Sequence, residues 1–513
     1  MRSSLNAARR ARELAELADG RTVDVLVVGL GATGAGAALD AASRGLSVAA
    51  IDACDLAFGT SRWSSKMIHG GLRYLAKGQI GVAYESAVER GVLLGRTAPH
   101  LVRAQPYLLP LTPAVSRAQA ATAMAGYRLG DGLRVAARTP HRLLPGPSRV
   151  SASRALELAA PLDPRGLRGA LLSWDGRLVD DARLVVALAR TAAAHDARIL
   201  TRCRALELGG RQARVRDELT GETFTIRARA VVNAAGVWAA GLDPAIRLRP
   251  SRGTHLVLRP ETLPGLRAGL HVPLPGESNR FALVLPQADG RIYVGLTDEP
   301  VEGPVPDVPE APEEDVTFLL DVLNSVLGTA VRREEVAGTF AGLRPLLAAE
   351  ERARGRAGAR VVERTADLSR RHALLTSADG VVTVVGGKLT TYRRMAEDAV
   401  DHAVRAHGLQ AGPSRTARLP LVGVTHPGVR APARLVERYG GEARGVHALA
   451  ERDPALAEPL PTGITLAELV WAVRHEGALD VSDLLDRRTR IGLVPADREA
   501  ALPAAEAALA YQK

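Results

Sequence analysis

At 513 residues, with 46% hydrophobic and only 3% aromatic residues, the chain is long enough for two or three domains with sizeable cores. Its 67 Lys and Arg against 56 Asp and Glu give a net charge of +11, which would suit nucleic acid, an anionic membrane surface or a phosphorylated substrate. Aromatics do not interleave with the basic residues and no zinc-finger or RNA-recognition signature is present, which argues against nucleic acid, while Cys54 and Cys203, far apart and outside any CxxC, exclude a disulfide framework and a cysteine-based metal site.

Residues 1–19 carry arginines at 2, 9, 10 and 12 but no continuous apolar core, so they do not read as a secretory signal. No stretch approaches the roughly twenty apolar residues of a membrane-spanning helix, so a soluble or peripheral protein is expected. The first structural signal is Val23 to Asp52: an apolar run enters Gly29-Leu30-Gly31-Ala32-Thr33-Gly34, a small-residue helix follows over 35–44, and a second apolar run ends in Asp52. Gly29 permits the sharp turn after the strand, Gly31 lets the backbone approach a pyrophosphate, and Gly34 lets helix and strand pack closely. The helix N-terminus supplies N–H groups and a positive dipole end to a diphosphate. Asp52, 23 residues after Gly29, stands where a carboxylate accepts from both hydroxyls of an adenosine ribose. Dinucleotide binding follows from this combination; FAD or NAD is not decided by it.

The polar segment from Gly59 to Tyr74 reads as a loop near the far end of that dinucleotide, with His69, Arg73 and Tyr74 as the groups it presents to chemistry. A helical pattern over 81–104 gives way to a Pro-interrupted strand region over 107–113, a basic helix runs to Pro140, and 141–148 reads as a loop at a domain edge. Trp174 to Arg183 reads as a turn leading into a helix over 181–194. Alternation over 198–207, 213–217 and 223–228 predicts a β-meander, closed by a strand running into Ala234, Ala235 and Gly236, where a backbone can lie against a cofactor. Strands follow near 251–258, 280–286 and 291–296, and the acidic, proline-rich 300–314 reads as a surface loop. Pro345 pushes Arg344 towards extended geometry, and an arginine so fixed can aim its planar fork at phosphate or carboxylate. A buried strand over 381–385 breaks at Gly386 and Gly387 and opens a helix over 391–407, a second N-terminus that, with Lys388, suits the negative charge of a reduced flavin ring. From about 411 the chain reads as a separate helical unit, in which Thr465 and Glu468 form a capping box.

Assembled, these pieces resemble the FAD-dependent glycerol-3-phosphate dehydrogenases, flavoenzymes with a D-amino-acid-oxidase-like fold. The most specific stretches are Ser64-Ser65-Lys66 leading to His69-Gly70-Gly71-Leu72-Arg73-Tyr74, then Asp180-Asp181-Ala182-Arg183, Gly342-Leu343-Arg344-Pro345 and Gly386-Gly387-Lys388-Leu389-Thr390-Thr391-Tyr392. The resemblance implies an α/β (α+β) chain: a discontinuous Rossmann-like FAD-binding domain over 20–87, 150–240 and 358–410, an inserted antiparallel-sheet substrate domain over 88–149 and 241–357, and a helical domain over 411–513. It implies hydride transfer from C2 of sn-glycerol 3-phosphate to flavin N5, giving dihydroxyacetone phosphate, with electrons passed to a membrane quinone. FAD would be held by Gly29, Gly31, Gly34, Asp52, Thr60, Ser61, Ser64, Ser65, Lys66, Gly70, Gly71, Ala234, Gly236, Gly386, Gly387, Lys388, Leu389 and Thr390. The phosphate would be held by Arg73, Arg344 and Lys388, helped by Tyr74, and Thr297 would bond a substrate oxygen. A group titrating near neutrality suits removal of the C2 hydroxyl proton, with His69 the first choice and His255, whose alternative is a structural role, the second. No metal is implied.

Asp52 stands where glutamate is common, and Gln287 follows Pro286 where some relatives have tryptophan. The absence of cysteine motifs after residue 203, and of the long insertion of the oxygen-using oxidases, favours the aerobic, quinone-linked type, cytoplasmic and peripheral on the inner face of the membrane. Docking on anionic lipid is compatible with the charge, and a homodimer is left open. Two alternatives stand beside this reading: a flavin oxidase or dehydrogenase of amino or 2-hydroxy acids on the same fold, and a flavin- or nucleic-acid-binding protein without turnover.

Overall fold

The computed structural model describes residues 1–76, 78–277, 280–348, 372–424 and 428–512, the side chains of Arg73, Ala76 and Gln512 excepted. Among these residues lie two sheets and a C-terminal group of helices. The first sheet, of eight strands, runs in the order Ala373–Thr376, Val382–Val385, Thr223–Asn233, Thr22–Val28, Val48–Ile51, Arg198–Leu200. Cys203–Gly209 and Gln212–Asp217 extend it as an antiparallel meander from Thr223–Asn233, as the alternation predicts. Thr22–Val28 pairs in parallel with both neighbours, Val28 opposite Ile51 and Asn233. A parallel sheet must be covered on both faces, which is why the buried stretches 25–28, 48–51 and 230–232 of its central strands are continuously apolar. Val25 and Val27 pack under the helices Ala32–Ser43, Asp181–Ala194 and Tyr392–His407, while Val23, Leu26 and Val28 face the other way, towards Leu17 of the helix Ala7–Ala18 and the meander.

The helix after the first strand begins at Ala32, three residues before the expected start at 35, because Gly31 is itself the N-cap. The helical pattern of 81–104 resolves into Ile80–Val92, a π-helical turn Leu93–Thr97 and a strand from Val102. Pro99 lacks an N–H and disfavours helical geometry before it, which ends the helix there. Strands Ser251–Leu258, Phe281–Pro286 and Ile292–Gly295 fall where the sequence puts them, and Arg344, extended as Pro345 implies, ends the strand Val336–Arg344.

The second sheet, of ten strands, is ordered Glu299–Pro300, Ser251–Leu258, Ile292–Gly295, Phe281–Pro286, Gly269–Pro273, Val102–Pro110, Ala170–Leu178, Met67–Ile68, with Val336–Arg344 and Ser148–Val150 paired at its sides. It is antiparallel except where Gly269–Pro273 runs parallel to Val102–Pro110. Trp174 to Leu178 is strand rather than the expected turn: Gly176 stands where a Cβ would come within 2.7 Å of the Ile68 carbonyl oxygen, so the glycine serves close strand approach. Ala170–Leu178 therefore lies in the second sheet although it falls within 150–240, and the boundary read at 357/358 lies outside the described residues.

The C-terminal helices Ala433–Tyr439, Ala443–Arg452, Leu466–His475 and Pro495–Leu509 include a core of their own around Leu469, Val470, Leu484 and Ala505. Glu468 accepts from Thr465 N at 2.9 Å, the return bond of the predicted capping box. The unit docks on the rest through ion pairs such as buried Arg183 with buried Glu476 and buried Arg190 with half-buried Glu442.

Candidate active site

A cavity of about 1370 Å³ is walled by both sheets, larger than the roughly 300–1,000 Å³ of an ordinary small-ligand site. At one end are Gly29, Gly31, Ala32, Thr33 and Asp52; at the other are His69, Tyr74, His255, Thr297, Arg344 and Lys388. Ala234, Gly236, Gly386, Gly387, Leu389 and Thr390 line the cavity as well, and so do Thr60, Ser61, Ser64 and Ser65.

The dinucleotide end is built from backbone. Gly29 has φ +101°, and a Cβ there would lie 2.6 Å from the Ala234 carbonyl oxygen. At Gly34 a Cβ would lie 1.8 Å from the carbonyl oxygen of Gly29, so this glycine permits packing and does not itself line the cavity. The N-cap Gly31 has no side chain to satisfy the first helical turn; Ser61 Oγ takes Ala32 N–H at 2.9 Å, and Ala32 and Thr33 of that turn line the cavity. Asp52 accepts Leu30 N–H at 2.7 Å on one oxygen and Cys54 N–H at 2.8 Å on the other, leaving a lone pair on each for ribose hydroxyls. Burial pushes its carboxyl up to about 6. A helix N-terminus started by glycine, a carboxylate with a lone pair left on each oxygen and glycine-lined backbone beside them fit FAD.

Lys388 is the N-cap of a short 3-10 turn, Leu389–Thr391, that continues into Tyr392–His407. Its ammonium lies 3.9 Å from the centre of the Tyr74 ring and donates to Ser86 Oγ. Thr390 Oγ1 accepts His69 N–H at 3.2 Å, tying the histidine's backbone to this second helix start. Tyr74 and Arg73 stand on a helical turn, Leu72–Ala76, rather than in loop. Arg73's side chain lies outside the described residues.

Arg344 ends the strand Val336–Arg344, and its guanidinium is held on several sides. Nη1 donates to Ser251 Oγ at 3.1 Å, Asp298 Oδ1 at 3.2 Å and the Arg252 carbonyl at 3.3 Å, and Nη2 donates to the Thr297 carbonyl at 3.1 Å. Asp298, which the sequence reading passed over, lines the cavity beside it; only its position directly after Thr297 signalled it. Thr297 Oγ1 donates to Asp315 at 3.1 Å and accepts Thr254 N–H at 3.0 Å, so its hydroxyl proton is committed to the protein. His255, 1% exposed, stacks on Phe340 at 4.6 Å, and its Nε2 is 2.8 Å from Ser65 Oγ. Burial, with Lys66 and Arg344 nearby, drives its pKa down to about 3, so it is neutral at physiological pH.

Three other expected cofactor residues turn away from the cavity. Lys66, 2% exposed, donates to Asp181, to the Arg62 carbonyl and to the Ser64 carbonyl, each at 3.0 Å, and burial brings its pKa down to about 8. Asp181 also takes Ser64 N–H at 2.9 Å and Ser64 Oγ–H at 2.7 Å, so the Ser64-Ser65-Lys66 and Asp180-Asp181 stretches form one clasp. Gly70 lies against the Arg90 guanidinium, with its N–H on Asp175 at 3.1 Å, and Gly71 lies against Tyr74 and Ser86. Asp175, paired with Arg90 at 2.6 Å, lines the cavity and holds the residue after His69, a role that its reading as a turn residue concealed. Among the described residues no group of His, Cys, Asp and Glu is arranged to hold a metal ion.

Residues 24–393 match the FAD dependent oxidoreductase family, and 414–512 match the C-terminal domain of alpha-glycerophosphate oxidase. Glycerol-3-phosphate dehydrogenase 1 of Mycobacterium tuberculosis is 53% identical over 97% of this chain and 96% of its own. Glycerol-3-phosphate dehydrogenase 2 of the same organism is 35% identical over 92% of this chain and 81% of its own. The solved structure of the glycerol-3-phosphate dehydrogenase from Bacillus halodurans complexed with FAD superposes with a TM-score of 0.73 at 25% identity, covering 99% of this chain and 94% of that one. With a family match over 24–393 and 53% identity over nearly the full length of both chains, the chain belongs to the FAD-dependent glycerol-3-phosphate dehydrogenase family.

Proposed function

We propose that this protein oxidises sn-glycerol 3-phosphate to dihydroxyacetone phosphate on FAD and passes the electrons to a membrane quinone. The observation that carries the reading is the meeting of Arg344, Lys388 and Tyr74 in one cavity with two helix starts. When bound, FAD supplies the hydride acceptor, N5 of its ring. Arg344, its plane fixed by four protein acceptors, and Lys388 bind the phosphate dianion by charge-assisted hydrogen bonds, with Arg73 as a third cation. His69 takes the C2 hydroxyl proton, its backbone fixed by Thr390 and by Asp175 through Gly70. His255, neutral and bonded to Ser65, is the second candidate for that step. The helix start at Leu389, with Lys388 as its N-cap, would lower the energy of negative charge on a reduced ring, which supports this reading.

The membrane part of the reading has its own support. No described helix is long and apolar enough to cross a membrane. Ile80 and Tyr84 on one helix, and Leu129 and Val135 on the helix Arg117–Ala136 packed beside it, expose large apolar side chains among the exposed Arg117, Arg128 and Arg138. A basic surface with apolar side chains suits the headgroup boundary of an anionic bilayer. Ala118, Thr122, Gly126 and Tyr127 of that second helix also line the cavity, so the helix that carries this face is part of the cavity wall.

The test is anaerobic addition of sn-glycerol 3-phosphate, 2-hydroxyglutarate and D-amino acids separately to the purified flavoprotein. The first alone should bleach the flavin; bleaching by another compound alone would overturn the assignment. Sedimentation with anionic vesicles at low and high salt tests the membrane part, and no binding at either would defeat it.

A further inference from the structure

The cavity wall from Asp55 to Lys66, which carries Phe58, Thr60, Ser61, Trp63, Ser64 and Ser65, is backed by the C-terminal helical unit. Asp55, fully buried, accepts Arg487 Nε at 2.6 Å and Arg488 Nη1 at 2.7 Å on one oxygen, and Arg488 Nη2 at 2.8 Å on the other. Both arginines lie in a π-helical turn, Asp483–Arg488, a geometry frequent at functional sites. Arg490, just beyond it, is 3% exposed and held at φ +62°, a left-handed conformation that a non-glycine residue keeps only where its surroundings fix it.

Arg490 Nη2 donates to the Arg62 carbonyl at 2.5 Å, the same oxygen that takes Lys66 Nζ at 3.0 Å. Its guanidinium also lies 5.0 Å from the Trp63 ring, whose contacts with Arg62 are at 4.1 Å. From Trp63 the contacts run directly into the site. Trp63 stacks on Phe340 at 5.8 Å, Phe340 on His255 at 4.6 Å, and His255 bonds Ser65 at 2.8 Å. Trp63 also packs on Gly342, where a Cβ would lie 2.5 Å from the tryptophan's own Cβ, and Thr60 Oγ1 donates to the Leu343 carbonyl at 2.6 Å. The wall is thereby fastened to the strand that ends in Arg344.

We propose that Arg490 is a positioning residue and that the C-terminal unit serves, through Arg490 and the Asp55 clasp, to fix the wall that faces FAD. One planar guanidinium sets both a backbone carbonyl and an indole plane, a combination that an ammonium does not reproduce. The proposal rests on the FAD part of the reading above and not on the identity of the substrate. Its readouts are FAD affinity, by titrating apoprotein, and the circular dichroism of the visible flavin bands, which reports the ring's surroundings.

FAD uptake by the wild type, measured first, tests the reading above on its own. Arg490→Ala should then weaken FAD binding about tenfold or more and change the flavin-band dichroism. Arg490→Lys, keeping one donor, should fall between, and Trp63→Phe should change the dichroism by itself; these two stand if Arg490→Ala does not fold. Glu442→Ala breaks the Arg190–Glu442 pair across the same domain junction while leaving Arg190 beside Glu476, and should lower thermal stability with both flavin readouts unchanged. Arg490 variants with wild-type affinity and dichroism, or an equal effect from Glu442→Ala at equal loss of stability, would overturn the proposal.

Discussion

Arg344→Ala should do more harm than the loss of one cation, because of Asp298. In the native site Arg344 Nη1 lies 3.2 Å from Asp298 Oδ1, so the guanidinium offsets a carboxylate that is itself on the cavity wall. Removing Arg344 takes away charge-assisted bonds worth about 1.5–3 kcal/mol and leaves Asp298 facing the incoming phosphate without that offset. Two unit charges about 6 Å apart at an effective dielectric of about 20 repel by about 3 kcal/mol. The sum, roughly 4–6 kcal/mol, corresponds to a fall in kcat/KM of about 10³–10⁴ for the phosphorylated substrate. Asp298→Asn added to Arg344→Ala removes the repulsion and should restore about tenfold or more, although each substitution alone removes a native contact. The assay is anaerobic stopped-flow reduction of the flavin against substrate concentration, with glycerol as the comparison that carries no phosphate. A double variant no better than Arg344→Ala, or an equal loss with glycerol, would refute the charge argument.

The remaining predictions concern the base, the ribose site and the clasp. His69→Ala should slow flavin reduction by about 10²–10⁴-fold with FAD retained; an unchanged rate passes the proton to His255. Asp52, its carboxyl raised to about 6 by burial, should be driven towards the ionised form by donated ribose hydroxyls. Binding then releases a proton below that pH, so FAD affinity should weaken as pH falls through about 6 and stay level above it, and Asp52→Asn should abolish the slope; titration of apoprotein at several pH values checks both. Lys66→Met leaves Asp181 buried with its two Ser64 donors and should cost about 3 kcal/mol, read as a lower urea midpoint.

What the sequence made legible is what neighbouring residues dictate. The first strand, the glycine turn, its helix and Asp52 follow from spacing along about thirty residues, and Ser251–Leu258 and Asp181–Ala194 lie where periodicity puts them. What it hid are pairings between residues far apart in the chain. Ser64-Ser65-Lys66 is a conspicuous motif, yet which way Lys66 points is decided by Asp181, more than a hundred residues later. Gly70 and Gly71 suggested close approach by a ligand, and the approaching groups are instead Arg90, Tyr74 and Ser86. Gly176 resembled a turn glycine because nothing local announces that Met67–Ile68 pairs against it. The contacts of Asp55 with Arg487 and Arg488 span most of the chain and leave no trace in local pattern.

The central claim is tested most directly by a single anaerobic turnover with sn-glycerol 3-phosphate in which flavin bleaching and product are measured together. One dihydroxyacetone phosphate per flavin reduced is the predicted result. Bleaching without that product, or an unreduced flavin at saturating substrate, would contradict it.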